Sequence, residues 1–227
     1  PEFQKDLGPL WPWGAFQREL QAADALIYAQ IRERRVEREK APTTKRDDVL
    51  SMMLEATDEQ RVGFTDAELR DELMTLLIAG HETTANMIGI GVLALLENPE
   101  QLAVLRDAED PTVVANAVEE LLRYLSIIQN GQRRAASEDI EIAGQTIKAG
   151  EGIIIDLAPA NWDASAYPEP DKLDFTRDAG QQLGFGYGRH ICLGASLARL
   201  ESRIALEEFL RRWPEYGIPA DGIERMH

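Results

Sequence analysis

The stretch Phe185-Gly-Tyr-Gly-Arg-His-Ile-Cys-Leu-Gly194 surrounds the only cysteine of this 227-residue chain with glycines. Glycine lets the backbone turn tightly around a sulfur atom and point its N–H groups toward it. A helix is predicted to follow closely, and the partial positive charge of its N-terminus favours a thiolate over a thiol. Such a thiolate, in an open loop, suits a metal bound from one side. A lone cysteine is more often buried and inert, so the residues alone leave both interpretations open.

This stretch resembles the cysteine-ligand loop of cytochromes P450. The positions that stand as they do in that loop are Phe185, Gly186, Gly188, His190, Cys192 and Gly194. The resemblance implies that Cys192 is the protein ligand of a haem iron and that the loop spans residues 183–194. It also implies that the cofactor is haem b, iron protoporphyrin IX. The other residues implied to contact the haem here are His190, Phe185, Gly186 and Gly194.

A long helix at about residues 65–97 has the clearest sequence signals. Thr65 and Glu68 form a capping box, in which each side chain satisfies a free backbone N–H of the other residue. The apolar pattern then continues to Leu96 without a proline. Because the pattern is apolar nearly all round, the helix is predicted to run through the centre of the protein.

The middle of this helix carries the polar stretch Ala79-Gly-His-Glu-Thr-Thr84. Gly80 weakens a helix by roughly 1 kcal/mol relative to alanine, and Thr83 can bond back to a carbonyl and loosen it further. The stretch therefore predicts a defect with room for a small ligand and water. The alternative is a satisfied polar spot where helices cross.

The same hexapeptide resembles the oxygen-activation stretch of the P450 central helix. By that resemblance Thr83 is the alcohol and Glu82 the acid of a proton-delivery pair. O2 is then expected to bind beside the haem, in a groove beside Ala79, Gly80 and Thr83, and the resemblance implies that Ala79 and Gly80 contact the haem.

Two further sites are interpreted through the resemblance. Glu120 and Arg123 are spaced i, i+3 on a predicted helix, where such pairs are usually weak surface bridges. They stand, however, where P450s place an E-x-x-R pair that stabilises the fold near the haem loop, which implies a structural role.

Arg134, rather than Arg133, stands where P450s place an arginine that reaches a haem propionate. Trp162 departs from the family, which often has arginine there, and is expected to alter packing near the E-x-x-R helix.

Periodicity also predicts helices at about Asn116–Leu125 and Leu193–Trp213. The second helix is expected to bury Leu197, Leu200, Ile204 and Phe209. Short strands joined by glycine turns are predicted at Ile140, Ile142, Ile147 and Ile153–Ile155. The fold class implied is the cytochrome P450 fold, mainly α with a small β portion. Residues 1–227 are expected to form one partial domain, with the N-terminal part and the extreme C-terminus of that fold missing.

Composition excludes several classes of protein. Forty acidic residues against 24 basic give a net charge of −16, which argues against nucleic acid or an anionic membrane surface as partner. A single cysteine excludes an internal disulfide and fits a reducing, cytoplasmic compartment. The longest clean apolar run, Met87–Leu96, is too short to span a bilayer.

The resemblance, which points to soluble bacterial and particularly actinobacterial P450s, implies a monooxygenase. Its partners would be O2, a small apolar substrate, and a ferredoxin with its ferredoxin reductase as electron donors. The candidate pocket residues are Leu76, Ile127, Ile128 and Gln129. A basic face along residues 189–212 is expected to receive the ferredoxin, unless its arginines merely pair with nearby glutamates.

Two alternatives remain from the sequence. A peroxide-driven peroxygenase would not need the pair Glu82 and Thr83. A non-catalytic haem-binding protein, or a truncated P450 fragment without activity, would need none of the catalytic groups.

Overall fold

The computed structural model describes residues 12–41, 46–56, 63–213 and 215–217. Both ends of the predicted domain, 1–11 and 218–227, lie outside the described residues. The helices there are α1 Pro12–Lys40, α2 Val49–Glu55, α3 Asp66–Glu97, α4 Pro99–Arg106, α5 Pro111–Leu125, α6 Leu157–Asn161 and α7 Ala195–Arg212. The strands are β1 Asn130–Ala135, β2 Ile140–Ile142, β3 Gln145–Ile147 and β4 Gly152–Asp156.

The strands form two small antiparallel sheets, in which β1 pairs with β4 and β2 pairs with β3. The isoleucines predicted to form strands lie in β2, β3 and β4. The chain divides into two compact units, residues 1–79 and 80–227, with the division inside α3.

In the first unit, ion pairs tie the helices together. Arg34 on α1 bonds both Asp48, the residue that caps α2, and Ser51. Arg70, early in α3, pairs with Asp24 on α1. The predicted capping box is confirmed, because the Thr65 N–H donates to Glu68 at 2.8 Å and the Glu68 N–H donates to the Thr65 hydroxyl at 3.2 Å. The backbone N–H of Thr65, and then its hydroxyl, donate to the Glu68 carboxylate and lower the pKa of Glu68.

In the second unit, the core forms around α5, which begins with Pro111 after the side-chain cap of Asp110. Its buried apolar face packs with residues from α3, α4, the segment after α6, and α7. The core residues are Met87, Ala94, Leu95, Leu102, Leu105, Ala117, Val118, Leu121, Leu122, Leu173, Phe175 and Leu206.

The prediction of a centrally buried α3 is wrong for its middle. Leu77 and Ile78 are 58% and 59% exposed, whereas Leu69 and Leu95 near the ends are fully buried. No described element covers the middle turns, so the apolar pattern there has nothing to pack against. The predicted local defect is not seen either, because α3 is continuous from Asp66 to Glu97.

By length and composition alone α3 is long and apolar enough to cross a membrane. This is a weak indication, because the core helix of a soluble protein passes the same test. The helix also carries Glu82 and His81 in its middle, where hydrocarbon would penalise a charged group.

Helix α7 turns a different face inward from the one predicted. It buries Ala195, Ser202 and Leu206. Leu197, Leu200 and Ile204 are instead 58%, 46% and 47% exposed. An apolar stripe on α7 is therefore left uncovered by the described residues.

Candidate functional site

The cysteine loop, residues 183–194, is closed by its own backbone. The Cys192 N–H donates to the Phe185 carbonyl at 2.9 Å, and the Gly186 N–H donates to the Leu183 carbonyl at 2.8 Å. Gly186 and Gly188 have φ of +72° and +80°, a region that glycine adopts without steric cost. The glycines thus perform the tight turns that the sequence predicted.

Cys192 lies at the open side of this loop, shortly before α7 begins. Its thiol is free and exposed, so the interpretation of a buried, inert cysteine does not apply. A side chain at Gly194 would place its Cβ 4.0 Å from the Cys192 sulfur. The sulfur is therefore close to the residue that precedes α7 and accessible to a ligand.

The side chains near Cys192 fit a metal whose remaining ligands come from a cofactor rather than from the protein. Among the described residues, no three His, Cys, Asp or Glu side chains lie close enough to hold a metal ion together. A single soft thiolate does suit a haem iron, because the macrocycle would supply the nitrogen ligands of that iron. His190 is exposed in the short helical turn Gly188–His190, beside the thiol-bearing segment.

The polar stretch of α3 presents an open surface. A Cβ built on Gly80 would meet no atom within 4 Å, so the helix leaves space at this position. Glu82 is exposed and Thr83 half-buried. Since successive helical residues are about 100° apart around the axis, the two side chains lie on neighbouring but different parts of the surface.

Glu120 and Arg123 form a fully buried pair rather than a weak surface bridge. Both side chains are 0% exposed. Arg123 donates to the two Glu120 oxygens at 2.7 and 2.8 Å. Its remaining donors reach three backbone carbonyls, those of Asn161, Pro170 and Lys172. Every donor of the guanidinium is therefore used, which is what a buried charge requires.

This network is completed by two residues that were not predicted from the sequence, Arg177 and Asn161. Arg177 Nε donates to Glu120 Oε1 at 3.1 Å. The Asn161 side chain is bonded to Ser126 and accepts the Leu183 N–H at 2.7 Å. Asn161 thereby connects the Glu120–Arg123 pair to the first residue of the cysteine loop. Neither residue stands in a spacing that marks it in the sequence.

Trp162, where the resemblance led us to expect altered packing, follows α6 directly. Its indole N–H donates to the Tyr124 carbonyl at 3.0 Å, and its ring stacks on Tyr124 with the centroids 5.5 Å apart. The tryptophan therefore packs against the end of α5, the helix that carries the E-x-x-R pair.

Arg133 and Arg134 are adjacent on β1, where they stand opposite Ile154 and Ile153 of β4. Adjacent strand residues point to opposite faces, so only one of them can serve a given ligand. Both are exposed. Arg134 Nη1 donates to the Arg133 carbonyl at 3.0 Å, a contact that an incoming carboxylate can displace.

The expected pocket residues do not line a described cavity. Ile128 and Gln129 are exposed, and Ile127 packs half-buried against the core. Leu76 is 38% exposed on α3. The described cavities, of about 270 and 360 Å³, are lined by other residues.

The expected basic face is largely neutralised by ion pairs. Arg199 pairs with Glu119, Arg203 pairs with Glu207 at 3.7 Å, and Arg211 and Arg212 share Glu208. The two arginines lower the pKa of Glu208 to about 2. Within the described residues Arg189 has no ion-pair partner. Most arginines of this face therefore pair with glutamates, which is the alternative that the sequence left open.

Comparisons with known proteins identify relatives of this chain and of its fold. Residues 6–214 match the sequence profile of the family described as Cytochrome P450. A cytochrome P450 of Mycobacterium marinum, CYP105Q4, is 69% identical over 140 residues, which are 61% of this chain and 34% of that protein. The vitamin D(3) 25-hydroxylase of Pseudonocardia autotrophica is 46% identical over 188 residues, 83% of this chain and 46% of that protein.

The crystal structure of GfsF, a cytochrome P450 of Streptomyces halstedii, superposes with a TM-score of 0.77 at 48% identity, over 90% of this chain and 51% of GfsF. The mainly helical P450 fold with a small β portion is thereby confirmed. The chain spans about half the length of GfsF, and about a third to a half of the two curated relatives. On the matching profile, the identity to its relatives and the shared fold, this chain belongs to the cytochrome P450 family.

Proposed function

We propose that the protein carrying this chain is a haem-thiolate monooxygenase that inserts one atom of O2 into a small apolar molecule. The observation that carries this proposal is the exposed thiol of Cys192, held by the glycine turns of residues 183–194 at the start of α7. Membership of the cytochrome P450 family supports it. The cofactor is haem b.

Cys192 holds the iron in this proposal. Phe185, Gly186 and Gly194 shape the loop around the sulfur, and His190 and Arg134 supply positive or hydrogen-bonding groups for the haem propionates. A guanidinium suits a carboxylate because its planar donors form two parallel bonds. Ala79 and Gly80 leave space on the face of α3. Glu120 and Arg123 hold the loop through Asn161 and Leu183.

When bound, the haem supplies the chemistry that activates O2 and transfers one oxygen atom to substrate, while the other leaves as water. The chain supplies protons. Glu82 is exposed and can take protons from solvent, and the Thr83 hydroxyl on the next position of α3 can hold and pass them on. A hydroxyl suits this step because it donates and accepts hydrogen bonds at once.

The same proposal assigns the electron donors, the cellular compartment and the class of substrate. Electrons come from a ferredoxin, itself reduced by a ferredoxin reductase, and the protein works in the cytoplasm. Leu76 and Ile128 present exposed apolar side chains, and Ile127 and Gln129 lie next to Ile128 in the chain. These residues support an apolar substrate that carries one polar group, which the Gln129 amide would bind. One relative is named as a hydroxylase of vitamin D(3), a largely apolar molecule.

The test is the spectrum of the reduced, carbon monoxide-bound whole protein. We expect the red-shifted band of a thiolate-ligated haem, and we expect Cys192→Ser to lose it, because a serine hydroxyl is far less acidic and a harder donor. An Ile191→Val variant in the same loop serves as the control and keeps the band. A serine variant that retained the thiolate-type band would remove Cys192 from the iron.

A second measurement separates the monooxygenase from the peroxygenase. We expect product formation to require reduced ferredoxin and O2. Turnover sustained equally by peroxide alone, without a reductant, would overturn the monooxygenase assignment while leaving the haem site intact.

A further inference from the structure

One carboxylate ties together the two ends of the cysteine loop. Glu119, on α5, accepts from Arg199 on α7, where the Nη2–Oε2 distance is 3.1 Å, and from the Gln182 side chain at 3.2 Å. Gln182 stands just before the loop and accepts the Gly184 N–H. Glu119 therefore holds both the segment that enters the loop and the helix that leaves it.

The fit around Gln182 is close. A Cβ on Gly184 would lie 2.8 Å from Gln182 Oε1 and 3.4 Å from the Leu122 carbonyl. The nearer atom is the movable end of the Gln182 side chain, so a larger residue at 184 would displace this amide, which also donates to Glu119. The loop therefore passes close to α5 at Leu122.

Arg199 also contacts the loop itself. Its guanidinium carbon lies 4.6 Å from the centroid of the Phe185 ring, within the range of a cation–π contact. Phe185 in turn accepts the Cys192 N–H through its carbonyl at 2.9 Å. Phe185 therefore links the two groups: its ring contacts Arg199, and its carbonyl holds the Cys192 backbone.

The charge of Arg199 acts on the same place. Its pKa is raised, first by the hydrogen bond to Glu119 and then by the negative charge of that carboxylate. Because Arg199 contacts the Phe185 ring and Phe185 accepts the Cys192 N–H, the positive charge lies beside the segment that carries the sulfur. None of the proposed roles of the haem-contacting residues uses this cation.

We propose that Arg199, clamped between Glu119 and Phe185, is a positioning residue for Cys192: it fixes the loop and places a positive charge near the sulfur. This inference rests on the proposed role of Cys192 as the iron ligand. It has two separable consequences, one for how firmly the loop holds the haem and one for the electron density at the sulfur.

The first experiment measures the midpoint potential of the iron in the haem-loaded whole protein. Removing the cation in Arg199→Gln should shift the potential to more negative values, because reduction adds negative charge near the sulfur. Arg199→Lys keeps the charge, so its potential should return toward that of the parent. A purely structural role would not separate these two variants.

The second experiment measures haem release to an excess of apomyoglobin. We expect Arg199→Gln and Glu119→Gln to lose haem about tenfold faster, since losing an outer-shell partner costs roughly 10- to 100-fold in metal sites. Arg203→Gln is the matched control. Arg203 lies one turn further along α7, is 40% exposed against 41% for Arg199, and pairs with Glu207 away from the loop.

The outcomes separate this inference from the proposed function. A parent protein without a thiolate-type carbon monoxide band would overturn the function. A parent with that band, whose Arg199→Gln variant matched Arg203→Gln in both potential and haem release, would overturn the role of Arg199 alone. Should Arg199→Gln fail to fold, Glu119→Gln still decides the question, because haem release as slow as that of Arg203→Gln would contradict the clamp.

Discussion

At the scale of single residues, the roles of Glu82 and Thr83 are separable by experiment. In the whole protein, Thr83→Ala should leave oxygen binding intact but let peroxide escape, so that oxygen consumption outruns product formation. Glu82→Gln should slow turnover instead, because an amide is a poor proton relay. The measurement is the ratio of product to oxygen consumed, together with the turnover rate.

The control for this pair is Thr75→Ala, also on α3, whose hydroxyl donates to the Asp71 carbonyl at 2.8 Å. It removes a threonine hydroxyl bonded back to the helix but lies outside the polar stretch. If both Thr83→Ala and Glu82→Gln turned over at the parent's rate with full coupling, neither residue would belong to the proton path.

Arg189 is the residue of choice for testing a ferredoxin-docking face. Arg199, the other candidate from the sequence, is engaged with Glu119 and Phe185, so its reversal would disturb the loop as well as the surface charge. Arg189→Glu should slow ferredoxin-driven reduction at low salt, and the effect should fade as salt screens the charges. Reduction by dithionite should be unchanged.

Arg211→Glu provides the comparison for Arg189, because Arg211 already pairs with Glu208 at 2.6 Å and lies at the far end of α7. Equal ferredoxin-driven rates in Arg189→Glu and the parent at low salt would place the docking face elsewhere.

At the scale of elements, the buried pair on α5 is expected to decide stability. Glu120→Gln leaves Arg123 buried with a neutral partner, and losing one member of a buried pair costs about 3–5 kcal/mol. Arg211→Gln breaks a pair whose side chains are 65% and 40% exposed, for which we expect a much smaller loss of stability, because water screens the two charges. Urea unfolding of the two variants of the whole protein measures the difference. Equal midpoints would mean that the Glu120 charge is not needed to hold the fold.

The elements that the sequence predicted well are those with local signals. The capping box placed the start of α3, and the isoleucine–glycine pattern placed β2, β3 and β4. Strand β1 was missed, because Asn130–Ala135 is polar and shows no alternation of apolar residues. Helix α5 begins at Pro111 rather than near Asn116, since the Asp110 cap and the proline at its first position start the helix earlier.

The predictions of which helix faces are buried failed, because burial depends on packing partners that a local sequence pattern does not contain. The apolar faces of α3 and α7 were predicted to be inward, yet Ile78 and Leu197 are 59% and 58% exposed. The Glu119–Arg199–Gln182 clamp was missed for the same reason, since its members are far apart in sequence and meet only in the fold. The cysteine loop, in contrast, is defined by adjacent residues, and its tight glycine turns could be predicted from them.

At the scale of the whole molecule, the exposed apolar side chains predict how residues 1–227 behave when expressed alone. Leu193 is 90% exposed, and Leu77, Ile78 and Leu197 are between 58% and 59% exposed. Exposed apolar side chains promote aggregation when they form contiguous patches. We therefore expect aggregation or a molten state that binds the dye ANS. We also expect weak or absent haem binding, because the chain spans about half the length of the relatives it matches.

The variant Leu77→Gln/Ile78→Gln tests whether α3 causes this behaviour. It should reduce ANS binding and aggregation of the 227-residue chain, because it removes two adjacent exposed apolar side chains from one helix. Val36→Gln, which removes a 44% exposed apolar side chain from α1, should change little. A sharp cooperative melt of the unmodified chain, with one haem bound per molecule, would show instead that these residues form a complete haem site by themselves and that the exposed faces of α3 and α7 need no further cover.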